Sequence, residues 1–182
     1  MYHRPRAIRK AAPEVATLKP PVDPHPFDGI DLRAEPAAYV IGRGEYGLFH
    51  AEPYRSELLP LWAFRTPEVA SESIARLQER FEAYAAAGDF VGMDVARKYL
   101  QMGWTRARRY AKYPGGRKYD ADGGVRAVGE EDEEKAESAR RFKAALDAVR
   151  ADPRYSAARE AWRGGGQRGR GGKAVRPPGY KA

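Results

Sequence analysis

The chain contains no cysteine, and its 182 residues include only three histidines. Without cysteine, it forms neither disulfide bonds nor thiolate–metal sites. The histidines leave few ligands for zinc, since two of them, His3 and His25, lie in a proline-rich end of the chain. We therefore expect neither a bound metal nor a cofactor.

Long apolar runs are absent as well. No stretch approaches the roughly 20 residues that a membrane-spanning helix needs, and the N-terminus has no apolar segment of the kind found in signal peptides. We therefore expect a soluble, cytoplasmic protein without a membrane partner.

Both ends of the chain lack the regular spacing of apolar residues that a core requires. Residues 1–26 mix arginine and lysine with six prolines, which interrupt helices. Residues 164–182 are rich in glycine and arginine, a composition typical of segments that accompany single-stranded nucleic-acid binders. The sequence predicts a disordered basic arm (1–26), a single domain (27–163) and a disordered Gly/Arg-rich tail (164–182).

The chain is basic, with a formal net charge of +8 and a pI near 9.7. Such a charge favours binding to nucleic acid or another polyanion. An excess of arginine over lysine also arises from codon usage in a GC-rich genome, so the charge alone leaves both explanations open.

The region 95–119 is the most informative part of the sequence, because it has eight cations and no carboxylate. At about 100° per residue, one face of a helix here is polar and carries Asp94, Arg97, Lys98, Gln101, Thr105, Arg108, Arg109 and Lys112. The opposite face carries Met93, Ala96, Leu100, Trp104, Ala107 and Ala111. The pattern predicts a helix docked by its apolar face, with a cationic ridge facing water and Trp104 buried.

A cationic ridge without carboxylates indicates contact with a phosphate backbone. The predicted nucleic-acid contacts are Arg97, Lys98, Arg108, Arg109, Lys112, Arg117 and Lys118. Tyr99 and Tyr110 follow pairs of cations and are candidates for stacking on bases, although both also fit ordinary packing at the edge of a core. An acidic block at 130–134 could instead pair with the ridge inside the protein.

Between the arm and the first long helix, the sequence indicates a small sheet. Residues 39–41 and 48–51 read as strands around the glycine-rich loop 42–47, and residues 58–65 read as a third strand at an edge, since Pro60 interrupts it. Arg43 and the Gly44 backbone could hold a phosphate in this loop, but its spacing matches neither the dinucleotide fingerprint nor the Walker loop, so the pattern favours a plain hairpin turn.

The rest of the domain is predicted to be helical. Thr66, Pro67 and Glu68 form a helix start, and the residues that follow place an apolar stripe on one face until Gly88: Ala70, Ile74, Leu77, Phe81 and Tyr84. Asp89 caps the basic helix, a third helix follows the acidic block, and Asp152-Pro153 opens a short last helix. The predicted fold is α+β: a small antiparallel sheet packed on a helical hairpin, with additional C-terminal helices.

A second functional hypothesis is an enzyme that acts on a nucleotide or a phosphorylated substrate. It would use residues near the glycine-rich loop, namely Arg43, Glu45, His50, Glu52 and Glu57. No second histidine or Asp cluster completes such a site, so a surface strand with ion pairs explains these residues as well. The sequence favours a binding protein over an enzyme.

Five runs of residues carry a further signal: 42–45 (GRGE), 52–57 (EPYRSE), 64–67 (FRTP), 88–90 (GDF) and, above all, 96–111 (ARKYLQMGWTRARRYA). Over about residues 27–120 the chain resembles the family known as domain of unknown function 4385. The resemblance implies a single small domain of a kind found in bacteria and viruses, and it implies no activity. The acidic helix and the Gly/Arg-rich tail lie beyond the resembling span.

We therefore expect a protein that binds DNA or RNA through its phosphate backbone, with little sequence specificity. The alternatives are the enzyme described above and a structural adaptor that binds an acidic protein partner. The sequence leaves the oligomeric state open.

Overall fold

The computed structural model describes residues 25–165, and this part of the chain is helical. It contains five α-helices: α1 (Tyr54–Leu58), α2 (Pro67–Ala86), α3 (Phe90–Lys112), α4 (Glu133–Ala151) and α5 (Pro153–Gly165). Short 3-10 turns lie at Pro36–Ala38, Leu59–Leu61 and Pro114–Gly116. Nearly all of the predicted arm and tail, residues 1–24 and 166–182, lies outside the described residues. None of the helices within 25–165 combines the length and the apolar character that crossing a membrane requires.

The predicted sheet is wrong, since residues 25–165 form no strand. Residues 48–51 lie in turns, in which the Leu48 amide donates to the carbonyl of Glu45 at 3.1 Å and the His50 amide to that of Gly47 at 3.0 Å. The third predicted strand instead holds the end of α1 and a 3-10 turn that includes Pro60. Within the described range, β pairing is limited to one isolated bridge between Tyr119 and Val125. The α+β assignment is therefore replaced by an all-helical fold.

Helix α2 forms as its sequence predicts. Thr66 caps it, because its Oγ1 accepts a hydrogen bond from the Val69 amide at 3.3 Å, and Pro67 occupies the first turn. The whole predicted apolar stripe is buried: Ala70, Ile74, Leu77, Phe81 and Tyr84. The confirmed stripe gives α2 a single face on which α3 packs.

Helix α3 begins at its predicted cap, where Asp89 Oδ1 accepts from the Gly92 amide at 2.9 Å. Two glycines let neighbouring helices approach it closely. A Cβ at Gly92 would clash with the ring of Tyr84 on α2, and a Cβ at Gly103 would clash with the ring of Phe142 on α4. Helix α3 therefore lies between α2 and α4.

Helix α4 runs antiparallel to α3. Near its start the Asp132 amide donates to the Ala111 carbonyl at 3.0 Å, and near its end Arg150 donates to Gln101 at 3.2 Å. The residues of its apolar face are buried: Ala139, Phe142, Leu146 and Val149. Helix α5 then packs Tyr155 and Trp162 against Phe90 at the start of α3.

Helix α3 is thus the centre of the fold. Helices α2, α4 and α5 contact it from different sides, and α1 also packs on it. Each of its first eleven residues, 90–100, is buried, including the charged ones. Because this first half of α3 is enclosed by other elements, the predicted cationic ridge is not exposed along the whole helix. Any exposed basic site on α3 must lie toward its C-terminal end.

Candidate nucleic-acid interface

The polar face of α3 divides into a buried half and an exposed half. Arg97 is 8% exposed and Lys98 0% exposed, so the prediction that these two cations face water is wrong. Farther along the helix Arg108 and Arg109 are exposed and Lys112 is half-buried. The predicted cationic ridge is therefore exposed to solvent only from Arg108 onward.

Asp94 explains why two cations are buried in the first half. It is 0% exposed, and its Oδ1 accepts from Arg97 Nε at 2.8 Å and from the Tyr155 hydroxyl at 2.6 Å. Its Oδ2 accepts from the Tyr39 hydroxyl and lies 3.6 Å from Lys98 Nζ. One carboxylate thus holds together residues from α3, α5 and the segment that precedes α1.

The charges in this cluster shift one another's ionisation. Burial lowers the pKa of Lys98 to about 8, and the nearby carboxylate of Asp94 only partly offsets that effect. For Asp94, burial acts to raise the pKa, but the charges of Arg97 and Lys98 outweigh it and hold the pKa at about 2. The cluster therefore stays ionised near neutral pH and serves to join elements of the fold.

The glycine-rich loop 42–47 covers the same part of α3. The Tyr46 carbonyl accepts from Lys98 Nζ at 2.8 Å, and Glu45 accepts from the Thr105 hydroxyl at 2.6 Å. Gly44 lies against Gln101, where a Cβ would still fit at ordinary van der Waals distance. The loop therefore works as a cover for α3, and its predicted use as a phosphate cradle by Arg43 and Gly44 has no geometric support beyond the exposure of Arg43.

The two predicted stacking tyrosines have different surroundings. Tyr99 is 0% exposed, so it is not available to stack on a base, and that prediction is wrong. Tyr110 is 40% exposed and packs edge-on against Phe64 at a ring-centroid distance of 5.5 Å. Of the two rings, only that of Tyr110 lies beside the exposed cations.

We define the basic patch as Arg108, Arg109, Lys112, Arg117 and Lys118. Among the residues that the structure describes, no carboxylate lies within 4 Å of any of these five cations. Cations elsewhere on the described surface are commonly paired with carboxylates: Arg33, Arg55, Arg76, Arg80, Arg126, Arg140, Arg141, Lys143 and Arg154. The patch is thus a group of five cations between residues 108 and 118 that have no carboxylate partner in the described chain.

The acidic block 130–134 lies next to this patch but forms no ion pair with it in the described residues. Its neighbourhood is fixed by backbone hydrogen bonds, since the Gly129 amide donates to the Lys112 carbonyl at 3.1 Å. Its Glu133 pairs with Arg140 in the same helix, α4. Because no ion pair within 4 Å joins the block to the patch in the described part of the chain, these cations remain open to an external anion.

A groove of about 420 Å³ between α3 and α4 borders the patch. Trp104 lines it and is only half-buried, so the prediction of a fully buried Trp104 is wrong. The patch residues Arg108 and Lys112 form part of the groove wall, and α4 adds Arg140 and Lys143. The sequence analysis did not predict that α4 contributes cations to this groove, because one sequence does not reveal which polar residues of two helices face each other. Lys143, placed one residue after the buried Phe142, was the available signal.

The residues of the predicted enzyme site do not converge. Glu57 pairs with Arg33 at 2.7 Å and with Arg80, while Glu45 binds Thr105 at 2.6 Å. His50 binds Asp28 at 2.6 Å. Glu52 pairs with Arg55 at 2.9 Å, so each proposed residue except the exposed Arg43 has its own structural partner. Within 25–165, no three His, Asp or Glu side chains cluster as metal ligands.

A family model described as Domain of unknown function (DUF4385) matches residues 23–164 of the chain. The match extends past residue 120, the end that the sequence resemblance suggested, and takes in α4 and α5. No curated protein and no solved structure matches the chain. Because the family model covers most of the sequence, the chain belongs to the DUF4385 family.

Proposed function

We propose that the protein binds nucleic acid by contacting phosphates through the basic patch. One observation carries this proposal: the five cations of the basic patch, close together in sequence, all lack carboxylate partners, whereas nine other surface cations in the described part of the chain are paired. Unpaired cations at high local density repel one another, and a polyanion relieves that repulsion while releasing its own counterions.

The spacing of the patch suits a phosphate backbone. Arg108, Arg109 and Lys112 lie within about one helical turn, roughly 6 Å along the axis, and residues 117 and 118 follow in the next loop. Contacts from arginine and lysine to phosphate fix position without reading bases, so the proposed binding has little sequence specificity. The patch also fits an acidic polypeptide, which the test below includes as a competitor.

The proposal is tested by the salt dependence of binding. Fluorescence anisotropy measures the affinity for labelled single-stranded DNA, duplex DNA, RNA and poly-glutamate at several salt concentrations. The test variant combines Arg109→Gln, Arg117→Gln and Lys118→Gln, which removes three unpaired cations outside the groove. The control combines Arg55→Gln, Arg76→Gln and Arg154→Gln, which removes three surface cations that have carboxylate partners.

Both variants lose the same net charge, so only the position of the lost charge differs. For the test variant, log affinity should depend less steeply on log salt: the magnitude of the slope should decrease by about two to three. The control variant should keep nearly the slope of the unmodified protein. Equal slopes in the two variants would show that net charge alone drives binding, and tighter binding of poly-glutamate than of any nucleic acid would favour a protein partner.

A further inference from the structure

The groove between α3 and α4 has an apolar floor and a charged rim. Trp104 and four alanines form the apolar lining: Ala111, Ala136, Ala139 and Ala144. Four cations also line the groove, two from each helix: Arg108, Lys112, Arg140 and Lys143. Two carboxylates, Glu131 and Asp147, complete the polar lining, so cations outnumber acids by two to one.

The Trp104 ring is presented to this groove. Lys143 Nζ lies 5.5 Å from the ring centroid and Arg108 Cζ lies 5.9 Å from it. Both cations are groove-lining residues; Arg108 has no carboxylate within 4 Å in the described chain, whereas Lys143 pairs with Asp147 at 2.5 Å on the surface of α4. The ring face therefore meets flexible, solvent-reaching side chains, which a flat ligand can displace more easily than packed core atoms.

The charges that line the groove favour a nucleobase, and not a phosphate, at its apolar floor. A phosphate placed against Trp104 would lose hydration on an apolar surface and would approach Glu131 and Asp147. A nucleobase is flat and uncharged, so it can stack on the indole ring while its phosphates remain at Arg108 and Lys112 on the rim. The groove is thus complementary to one nucleotide unit, with the base inside and the phosphates outside.

Resting on the proposed function, we infer that the groove receives an unpaired base stacked on Trp104, which makes the preferred ligand a single-stranded nucleic acid. In a duplex the bases are already stacked and paired, so a base must first be extruded before it reaches a groove on the protein surface. The phosphates that flank the inserted base contact the basic patch, which continues directly from the groove wall at Arg108 and Lys112.

The chain's own C-terminal end is a poorer occupant of this groove. Residues 166–182 carry five arginines and lysines and no carboxylate. Arg108 and Lys112, the two rim cations without a carboxylate within 4 Å in the described residues, repel such a segment, whereas they attract a polyanion. Charge complementarity therefore selects the nucleic acid over the tail.

An abasic strand separates the contribution of the base from that of the phosphates. The full-length protein is titrated with an oligothymidylate of about 20 nucleotides and with an abasic oligonucleotide of the same length, which has the same charge but no bases. The oligothymidylate should bind more tightly by roughly 5- to 150-fold, the range expected for stacking of one base. In Trp104→Leu, which keeps apolar bulk in the groove, this preference should disappear while the affinity for the abasic strand stays the same.

Fluorescence gives a second measurement that does not depend on a destabilising change at position 104. In the variant Trp62→Phe/Trp162→Phe, Trp104 is the only tryptophan. Its emission should be quenched by oligothymidylate and not by the abasic strand.

The outcomes distinguish the inference from the proposed function. Equal affinity for both strands, or a preference that survives in Trp104→Leu, overturns base stacking in the groove while leaving phosphate binding at the patch intact. Failure of both strands to bind at low salt overturns the proposed function itself. Quenching of Trp104 by poly-glutamate instead of oligothymidylate would assign the groove to an acidic protein.

Discussion

Asp94 is the residue on which the buried half of α3 depends. It accepts hydrogen bonds from Tyr155 and Tyr39 and faces two cations, Arg97 and Lys98. Burying two cations is costly unless a carboxylate and hydrogen-bond partners compensate, and this cluster supplies both. The same contacts join α5 and the segment before α1 to the central helix. A substitution at Asp94 should therefore destabilise the whole domain and not only α3.

Asp94→Asn should lower the free energy of unfolding by about 3 to 5 kcal/mol, because it leaves two buried cations without their counter-charge. Asp147→Asn is the matched control, since Asp147 pairs with Lys143 on the surface and its loss should change stability by no more than about 0.5 kcal/mol. Denaturant melts of both variants provide the measurement. Equal stability of the two variants would mean that the cluster contributes nothing beyond a surface ion pair.

Lys98 makes stability depend on pH in a defined direction. Its pKa falls from 10.5 to about 8 on folding. Between these values the unfolded chain holds a proton that the folded protein has released, so the free energy of unfolding rises with pH. Below about pH 8 the charged lysine opposes folding by its full amount.

From pH 8 to 9.5 the rise should reach about 1.6 kcal/mol, because the slope approaches 1.36 kcal/mol per pH unit only once the folded protein has released the proton. Urea melts of the unmodified protein and of Lys98→Met at several pH values measure it, and the variant should show no such rise. The comparison stops at pH 9.5 because burial raises the pKa of Tyr39 and Tyr155, which contribute the opposite slope near pH 10. A parallel dependence in both proteins would assign the titration to another group.

At the scale of elements, the helices were predictable and the segment before them was not. Helix starts at Thr66 and Asp89 combine a capping side chain with a periodic apolar face, and both signals are local in sequence. The apolar face of α3 was also predicted correctly except at Trp104. Its polar face was misjudged because spacing identifies which residues share a face but not whether another element covers that face.

The glycine-rich loop is the cover that the sequence did not reveal. Residues 39–41 and 48–51 are short apolar runs, and such runs do not distinguish a strand from turns that insert single side chains into a core. Tyr39 and Leu48 are buried in this way, without pairing to a neighbouring strand. Asp94, set three and four residues before Arg97 and Lys98, was the local signal that these cations had an intramolecular partner.

The crossing of α3 and α4 depends on the absence of a side chain at Gly103. Gly103→Ala should lower the free energy of unfolding by about 1 to 3 kcal/mol, because the added methyl group clashes with the buried ring of Phe142. Gly164→Ala, in α5 with open space around its Cα, should leave stability unchanged or raise it slightly, since alanine favours helices. Thermal melts compare the two, and equal midpoints would indicate that the crossing can widen at no cost.

At the scale of the whole molecule, the excess positive charge lies entirely in the ends. Residues 1–24 carry five cations and two carboxylates, and residues 166–182 carry five cations and none. These segments account for the full net charge of +8, so residues 25–165 are neutral as a group. The basic patch is therefore a local feature of a neutral domain and not a sample of a generally basic surface.

This distribution of charge gives the ends and the basic patch different roles in the proposed binding. In the proposed function, the ends would supply the net charge that attracts a polyanion, and the patch would supply fixed cations at the proposed binding surface. A fragment of residues 25–165 should keep a thermal midpoint within about 5 °C of the full chain, because the sequence of the ends predicts no contribution to a core. It should bind oligonucleotides more weakly, with a shallower salt dependence.

Within that fragment, the substitutions Arg109→Gln, Arg117→Gln and Lys118→Gln should still reduce binding, because their effect depends on position and not on net charge. Calorimetry gives the midpoints, and anisotropy gives the affinities across a salt series. A midpoint lowered by more than about 5 °C would show that an end packs on the domain. If the fragment bound no oligonucleotide at low salt and the patch substitutions mattered only in the full chain, the ends would be the binding element and the patch a secondary contact.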